Sequence, residues 1–458
     1  MLKLDLVKIS GVEVLPLVEG GKGISISTGE TCGAWASAGG VGTFSAVNAD
    51  SYDENGKIIP QIYRGRSRLE RRQELIDYAV AGGIAQAKIA RERSNGKGRI
   101  HMNVLWEMGA CEEILFRILE GAKGCVHAIV CGAGMPYNLG EIASQFGVYY
   151  YPIVSSARAF SALFRRSFKK ARDFLGGVVY EDPWLAGGHN GLSNAEDPLK
   201  PLNPYLRLVE LRKTMDNFSL QTTPIIIAGG VWWLSEWEDY VDNKELGLTA
   251  FQFGTRSILT TECPVAKTWQ PKLMSLKKGD VKLTPLSPTG FYSSAIGNKM
   301  LTDLLELQDR QVDIVEDSPL KIIASGREVS IDVSRSEEVN SWIKNGFSAA
   351  MSTPSQTVIF ATPEQSKRIL SDQRSCCGCL SACRFSSWCQ NGGSLGKIPD
   401  PRSFCIQKSL QAAAHGGDLD ASLIFAGHSA YRFGEDPFYA NNFIPTTQQL
   451  VDRIMTGY

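Results

Sequence analysis

Residues 225–230 read IIIAGG, and residues 250–256 read AFQFGTR. Each stretch is a short apolar run ending in glycine, which is typical of a buried strand followed by a tight turn. Strand-ending glycines let backbone N–H groups approach an anion with no Cβ in the way. These runs are the seventh and eighth strand candidates, and barrel enzymes frequently bind phosphate between the loops after those two strands. The pattern therefore predicts a phosphate site, to which Thr255 adds a hydroxyl donor and Arg256 a charge.

Six further strand candidates precede these two, with mostly helical segments between them. The eight strands are expected at Val12–Val18, Val41–Val47, Ile100–Leu105, Val126–Cys131, Tyr149–Val154, Gly177–Tyr180, Ile225–Ala228 and Ala250–Phe253. Helical candidates are Arg68–Arg91, Glu112–Ala122, Leu139–Phe146, Ala157–Phe174, Pro204–Asn217 and Leu234–Asn243, many with apolar residues three and four apart. This alternation has the size and rhythm of a (β/α)8 TIM barrel, although a doubly wound open sheet has the same local rhythm.

The alternation breaks after Thr261, and we place a soft domain boundary near residue 263. Residues 1–263 are expected to form the barrel, and residues 264–458 an additional cysteine-rich α+β region with a helical cap. Within that region Ser294–Gln311 and Ser403–Ala414 have helical patterns, while Leu320–Ile331 fits a hairpin.

The overall composition excludes several classes of protein. The chain has 458 residues, 43% of them hydrophobic, which is ample for a large core and a second unit. Lys+Arg and Asp+Glu both total 48, so no net charge draws the chain toward nucleic acid or an acidic membrane. No membrane-spanning run or signal peptide is recognisable, so a soluble, cytoplasmic protein is expected. Basic runs at 64–72 and 165–170 are interpreted as solvated faces, with docking of an acyl carrier protein or RNA as the alternative.

Six of the eleven cysteines lie close together in the sequence. They are Cys376, Cys377, Cys379, Cys383, Cys389 and Cys405. In a reducing compartment, clustered thiols are better explained by metal binding or redox chemistry than by disulfides. Cys376 and Cys379 form a Cys-x2-Cys chelate, which Cys383 and a more distant cysteine complete as a tetrahedral set for zinc or an iron–sulfur cluster. Cys377 is interpreted as a bystander, and a loop of uncoordinated thiols is the alternative for the whole group.

Residues 185–191, LAGGHNG, carry the main catalytic candidate. Gly187 and Gly188 bring the backbone and the His189 imidazole close to a flat ligand. His189 follows the sixth strand candidate, at the end of a barrel strand where such folds do their chemistry, and imidazole titrates near neutrality. A surface histidine in a loop is the alternative. Asn103 in the third strand suits the edge of a flavin's pyrimidine ring, or equally a buried bond to backbone.

Seven stretches of the chain together resemble the nitronate monooxygenase (2-nitropropane dioxygenase) family, which also contains the FMN-dependent enoyl-acyl-carrier-protein reductases. The stretches, in family order, are GGKGI (20–24), AGGVG (38–42), GAGMP (132–136), PIVSSAR (152–158), AGGHNG (186–191), AGG (228–230) and QFGTR (252–256). Beyond the barrel, Ser287-Pro288 with Gly290, the cysteine spacing, and the stretches 404–406 and 430–432 resemble a longer subgroup with a cysteine-bearing tail. Two departures are Glu19 and Lys22 in the first loop, and bulky tryptophans after Gly230.

The resemblance implies an FMN at the barrel mouth and His189 as the catalytic residue. The implied cofactor-binding residues are Gly20, Gly21, Asn103, Gly134, Gly187, Gly188, Ala228, Gly229, Gly230, Gln252, Gly254 and Thr255. The phosphate would lie on Gly229, Gly230, Gly254 and Thr255. The cysteine spacing resembles that of dienoyl-CoA reductase, which favours a 4Fe–4S cluster over zinc. Its ligands would be Cys376, Cys379, Cys383 and Cys405, with Cys389 as the rival fourth ligand.

The activity implied by the resemblance is oxidation of alkyl nitronates with O2. The first alternative is an NAD(P)H-dependent enoyl-thioester reductase, in which His189 helps protonate or orient the product. The second is a flavin and iron–sulfur electron relay, or an enzyme that modifies RNA, although the balanced charge argues against nucleic acid as a partner. The expected partner is a small-molecule or acyl-thioester substrate, no membrane is expected, and a homodimer is compatible with the sequence.

Overall fold

The computed structural model describes residues 4–193 and 195–458. Eight parallel strands form a closed barrel: β1 Leu17–Glu19, β2 Val41–Ser45, β3 Arg99–Leu105, β4 Ala128–Gly132, β5 Tyr149–Val154, β6 Val178–Glu181, β7 Ile225–Ala228 and β8 Thr249–Phe253. The last strand pairs with the first, Phe251 lying opposite Leu17, so the sheet has no open edge. The predicted (β/α)8 barrel is therefore confirmed, and the doubly wound open sheet is excluded.

Helices connect the strands and cover the outside of the barrel. Helices α1 Gly29–Ser37, α2 Arg68–Arg93, α3 Cys111–Gly121, α4 Leu139–Phe146, α5 Ala157–Arg166 and α6 Pro204–Asn217 lie between successive strands, together with 3-10 helices Phe168–Phe174 and Leu234–Tyr240. Local sequence fixes several of their ends. At the start of α2, Ser67 accepts a hydrogen bond from the N–H of Glu70, whose side chain bonds back to the N–H of Ser67.

The first strand candidate was only partly right. Val12–Val18 divides into the second strand of an N-terminal hairpin (Val7–Ile9 with Val12–Val14) and β1, with Pro16 between them. Proline lacks the N–H that a continuing strand needs. The hairpin closes the amino-terminal end of the barrel, where the backbone N–H of Ser10 donates to the Tyr151 hydroxyl at 2.9 Å. The opposite end of the barrel is therefore the end that remains for a ligand.

The C-terminal region is built from short helices and small sheets. Its helices are α7 Ala266–Met274, α8 Lys299–Asp309, α9 Ser336–Lys344, α10 Pro363–Arg374, α11 Ile406–Ala414, α12 Arg432–Glu435 and α13 Thr447–Met455, with 3-10 helices Val333–Arg335 and Pro437–Asn442 around them. A further 3-10 helix, Arg256–Ile258, directly follows β8. Its strands are Val281–Thr284, Ser293–Ile296, Gln311–Asp313, Lys321–Ala324, Arg327–Ser330, Ala349–Ser352, Thr357–Ala361, Ala382–Cys383 and Trp388–Cys389. The predicted hairpin is present at 321–330. The segment predicted as helical at Ser294–Gln311 contains α8, but its first residues belong to the strand Ser293–Ile296, which pairs with Gly188–His189.

The end of the chain returns to the barrel. Leu450, Val451 and Ile454 of α13 are buried in the same core as the outer faces of the barrel strands and the helices around them. Because no long helix follows β8 directly, α13 occupies part of the outer layer beside α1. The boundary near residue 263 stays a prediction, since the two regions share this core. Among the described residues, no helix combines the length and hydropathy that crossing a membrane requires.

Candidate functional site

A large cavity lies at the carboxyl ends of the barrel strands, covered by the C-terminal region. Its lining includes all but one of the predicted cofactor-binding residues together with His189: Gly20, Gly21, Asn103, Gly187, Gly188, His189, Ala228, Gly229, Gly230, Gln252, Gly254 and Thr255. Gly134 is the exception. A Cβ on Gly134 would lie 2.9 Å from a carboxylate oxygen of Glu107, whereas Gly132 and Ala133 line the cavity in its place.

The predicted phosphate corner is formed by three turns that meet at one edge of the cavity. Ala228 and Gln252 are paired across β7 and β8, so the turns after these strands are neighbours. Gly229 and Gly230 have φ values of 93° and 79°, a left-handed conformation that favours glycine. A Cβ on Gly20 would lie 3.0 Å from the Cα of Gly254, which brings the first loop to the same corner.

Gly254 gives this corner its open space. A Cβ added to Gly254 would find no heavy atom within 4 Å, and the residue lines the cavity. The Thr255 hydroxyl accepts a hydrogen bond from the N–H of Gly427 at 2.9 Å and keeps its own hydrogen for a further acceptor. These residues therefore fit a phosphate. Their backbone amides border an open space that even a methyl group on Gly254 would begin to fill.

Asn103 faces the first loop closely. A Cβ on Gly21 would lie 2.3 Å from the Cβ of Asn103, so only glycine allows this approach. The Asn103 amide donates to the hydroxyl of Ser45 at 3.2 Å. Asn103 and Gln252 thus offer two amide groups to one face of the cavity, which suits the donor and acceptor edge of a flavin ring.

His189 is held by residues of the C-terminal region. Its Nε2 lies 2.6 Å from the Ser287 hydroxyl, which in turn lies 2.8 Å from the Thr289 hydroxyl. The Phe425 ring packs edge-on against the imidazole, with 5.4 Å between ring centroids. Burial lowers the pKa of His189 to about 4, so the imidazole is neutral at physiological pH. A neutral, oriented imidazole can accept a proton from a substrate in the cavity.

The unusual first loop contains a buried ion pair. The Lys22 ammonium contacts a carboxylate oxygen of Glu19 at 3.2 Å, the carbonyl of Gly20 at 2.7 Å and the Ser257 hydroxyl at 2.9 Å. Burial raises the pKa of Glu19, and the Lys22 charge opposes that rise. Lys22 therefore ties the first loop to the turn after β8, and much of its charge is satisfied by protein atoms.

Arg256 does not present its charge to the phosphate corner. Its guanidinium is fully buried, pairs with Asp436 at 3.3 Å and donates to the carbonyl of Trp232. The Trp232 ring lies 5.3 Å from the guanidinium carbon, and its indole N–H donates to Asp436 at 3.1 Å. Trp232 lines the cavity and, through its bond to Asp436, also fixes the tail segment that contains this carboxylate.

The tail forms a wall that the sequence patterns did not reveal. The Ser429 hydroxyl donates to the carbonyl of Gly230 at 3.2 Å, and Gly427 bonds to Thr255 as described. A Cβ on Gly187 would lie 2.5 Å from the carbonyl carbon of Ala426, which explains a glycine there. Contacts between residues so far apart in the chain leave no periodic signal in the sequence. We call residues 426–429 the tail wall.

Glu181 is a second residue that sequence reasoning missed. It ends β6 and lines the cavity. Burial, and to a smaller extent the neighbouring Asp182 carboxylate, raises the pKa of its carboxyl to about 8. A carboxyl at the end of a barrel strand is the signal that could have identified it.

The cysteine segment 376–405 packs beside the cavity. Cys376, Cys379, Cys383 and Cys405 all belong to one core cluster or pack against it, and Cys379 also lines the cavity. Within residues 4–193 and 195–458, however, no three cysteine, histidine, aspartate or glutamate side chains are arranged to hold a metal ion. The predicted ligands are thus brought into one region without forming a ligand set, and metal binding stays a prediction.

Part of the first basic run has a structural role. The Arg71 guanidinium donates to the carbonyls of Cys376 and Arg374, each at 3.0 Å, and Arg68 donates to the carbonyl of Gly393 at 3.3 Å. These arginines therefore attach the cysteine segment to α2 of the barrel.

Comparison with known proteins supports the fold. No protein-family model matches the chain, and no curated protein matches it in sequence. The structure is similar to FabK from Thermotoga maritima, with a TM-score of 0.53 and 14% identity, over 96% of this chain and 92% of that one. It is also similar to the enoyl reductase domain of MlnA from the macrolactin biosynthesis cluster of Bacillus amyloliquefaciens, with a TM-score of 0.53, 12% identity, and coverage of 97% and 93%. Nitroalkane oxidase from Streptomyces ansochromogenes gives a TM-score of 0.42 at 16% identity, over 63% and 78%.

Proposed function

We propose that this protein is an FMN-dependent oxidoreductase. The observation that carries the proposal is the glycine-lined corner where the turns after β1, β7 and β8 meet, open at Gly254, on the same cavity as His189. Gly229, Gly230 and Gly254 would hold the phosphate through backbone N–H groups. Asn103 and Gln252 would bind the edge of the ring. When bound, FMN would supply the electron-transfer chemistry that amino-acid side chains lack.

The protein's own residues would provide orientation and proton transfer. The tail wall and the C-terminal region cover the cavity and exclude water from it. His189, neutral and fixed by Ser287, would take a proton from an acidic substrate carbon or return one to a product. Its neutrality suits the role of base, because a protonated imidazole has no lone pair to offer.

Among substrates, we favour an enoyl thioester reduced at the expense of NAD(P)H. What supports this choice is the similarity over nearly the whole chain, tail included, to the enoyl reductase domain of MlnA. An alkyl nitronate oxidised with O2 is the second candidate, favoured by the AGGHNG stretch at residues 186–191 and by the resemblance to nitronate monooxygenases.

Anaerobic reduction of the FMN-loaded protein tests the proposal and separates the candidates. The purified protein is incubated with FMN, freed of excess cofactor by gel filtration, and mixed with NADH, NADPH or an alkyl nitronate. Rapid bleaching by a pyridine nucleotide, followed by reoxidation with an enoyl thioester, supports the reductase. Bleaching only by the nitronate supports the monooxygenase. A protein that retains no FMN under these conditions contradicts the proposed function.

A further inference from the structure

Glu181 lies on the floor of the cavity, where the inner faces of the strands end. In β6 it pairs with Ala228 of β7, which pairs in turn with Gln252 of β8. Paired residues of neighbouring strands point to the same side of a sheet, and Ala228 belongs to the cluster that fills the barrel interior. Glu181 therefore points inward and upward into the cavity, in one row with the amide of Gln252.

No cation of the described residues compensates a negative charge on Glu181. Lys22 and Arg256 line the same cavity, but the Lys22 ammonium is bound to Glu19 and the Arg256 guanidinium to Asp436. Arg207 on α6 approaches this end of β6 from outside the barrel and forms its ion pair with Glu196 at 2.5 Å. His189, the remaining titratable group that lines the cavity near β6, is neutral because burial lowers its pKa.

The neighbouring carboxylate is turned to other partners. Asp182 accepts hydrogen bonds from the N–H groups of Trp184 and Leu185, each at 3.0 Å, and from the Tyr180 hydroxyl at 3.1 Å. Its negative charge remains next to Glu181 and opposes ionisation there. Burial has the same effect and is the larger cause, so the Glu181 carboxyl keeps its proton up to a pH of about 8, its pKa.

We propose that Glu181 is a neutral carboxylic acid that donates a hydrogen bond to the FMN ring and so makes the ring easier to reduce. This inference rests on the proposed function. Glu181 is half-buried at the cavity surface, and no described residue forms a hydrogen bond with its carboxyl, which is therefore available to a ligand in the cavity. A flavin ring carries nitrogen and oxygen acceptors that such a donor would satisfy. A protonated acid stabilises negative charge that develops on the ring, whereas a carboxylate in the same place repels it.

The consequence is a coupling between the Glu181 proton and the electrons on the ring. Negative charge on the reduced ring raises the pKa of Glu181. Above about pH 8, reduction of the ring therefore takes up one proton more than it would without Glu181. The midpoint potential of the bound FMN therefore falls more steeply with pH just above that value. Glu181→Gln keeps the shape and a donor group but cannot ionise, so its potential lacks the steeper segment.

Spectroelectrochemical titration of the FMN-loaded wild type and of Glu181→Gln, on both sides of pH 8, tests the inference. Asp182→Asn is the matched control: it retains the steeper segment and moves it to lower pH, because one negative charge beside Glu181 is gone. A wild type that binds no FMN overturns the proposed function and this inference with it. FMN-loaded wild type and Glu181→Gln with parallel curves overturn the inference alone.

A second measurement tests the inference on the wild type alone, in case Glu181→Gln does not fold or does not bind FMN. Infrared difference spectra of the FMN-loaded wild type, reduced minus oxidised, report a protonated carboxyl as a carbonyl band that shifts in D2O. The expected result is such a band below the pKa of Glu181 and its loss above it. A spectrum without a carboxyl band, together with a single slope of potential against pH, overturns the inference.

Discussion

Gly254 is the residue at which cofactor binding can be separated most cleanly from folding. Its hypothetical Cβ contacts no protein atom within 4 Å and its backbone is not left-handed, so a larger residue is tolerated by the fold. The same side chain would occupy the space assigned to the phosphate. We predict that Gly254→Val purifies folded and retains FMN at least about tenfold more weakly, a loss of roughly 1.4 kcal/mol or more in binding.

Flavin content after gel filtration and the melting temperature measure the two effects. Gly392→Val is the control, because Gly392 also has open space around its Cβ position but lies in the cysteine segment. It is expected to keep both FMN and stability. Undiminished FMN binding by Gly254→Val would contradict the assignment of the phosphate corner.

His189 gives a prediction about pH. Burial lowers its pKa to about 4, so the imidazole gains a proton only as pH falls through that value and is a competent base above it. The His189-dependent step should therefore lose rate near pH 4, not near the ordinary histidine pKa of about 6.5. His189→Gln is expected to lower kcat by about 10²–10⁴-fold while retaining FMN.

Ser287→Ala tests how His189 is held. Loss of the 2.6 Å contact to Nε2 should lower kcat by a smaller factor than His189→Gln and leave the flavin spectrum unchanged. The measurement is the pH dependence of kcat in both variants and the wild type. An acid limb near pH 6.5 in the wild type would show that His189 titrates as an ordinary surface histidine.

Glycines and His189 could be recognised from sequence because their signals are local. A glycine pair after an apolar run and a histidine after a strand are read directly from neighbours in the chain. Gly134 belongs to an equally regular motif but turns toward Glu107, and nothing in GAGMP fixes that direction. Glu181 could not be recognised from its neighbours in the chain. Its role depends on its position at the bottom of the cavity and on the absence of a compensating cation among the described residues around it.

At the level of elements, a buried ion pair joins the turn after β8 to the tail. It links Arg256 to Asp436, which directly precedes the last 3-10 helix. Arg256 and Asp436 are both fully buried, and Asp436 also binds Trp232. Removing one partner of a buried pair leaves an uncompensated charge and typically costs about 3–5 kcal/mol. We predict that Asp436→Ala lowers the free energy of unfolding by that order and weakens FMN retention.

Urea unfolding provides the measurement. Glu236→Ala is the matched control, since its partner Arg432 contacts it at 2.5 Å in a pair that remains accessible to water. Pairs of that kind contribute about 0–1 kcal/mol. Equal effects of Asp436→Ala and Glu236→Ala would mean that the buried pair has no special role in joining the tail to the barrel.

The cysteine segment gives a prediction about metal. We predict that the thiols of Cys376, Cys379, Cys383 and Cys405 hold a 4Fe–4S cluster, as their spacing indicates. Protein purified without oxygen should then contain iron and sulfide and show a broad visible shoulder beside the flavin bands. Cys379→Ser should lose the iron.

Cys125→Ser is the control, because Cys125 lies outside the segment and is half-buried in the turn after α3. It should keep its iron. Zinc in place of iron would support the alternative metal with the same ligands. Absence of both metals from protein prepared without oxygen or chelators would leave the segment as a packed thiol loop held by Arg68 and Arg71.

Strand and helix positions in the barrel were predictable because the hydrophobic period is fixed by burial. Helices α4 and α6 begin and end where their apolar spacing indicates, and β5 and β7 span their apolar runs. The first strand was less well placed, since Val12–Val18 contains two strands separated by a proline. The pairing of Ser293–Ile296 with Gly188–His189 was not predictable, because it joins residues about one hundred positions apart.

At the scale of the whole molecule, α13 determines whether the barrel can exist alone. Leu450 and Ile454 are fully buried in the core that the barrel helices share. A chain truncated to residues 1–263 lacks this helix and exposes the apolar surface beneath it. We predict that such a chain does not fold cooperatively and binds no FMN, whereas full-length Leu450→Ala folds with about 2–5 kcal/mol less stability.

Exposed Gln448→Ala is the control and should unfold as the wild type does. Urea unfolding followed by both tryptophan and flavin fluorescence measures the loss. Because barrel and tail share this core, the two signals should change together in the full chain. A soluble 1–263 chain with a cooperative transition and bound FMN would instead establish residue 263 as a true domain boundary.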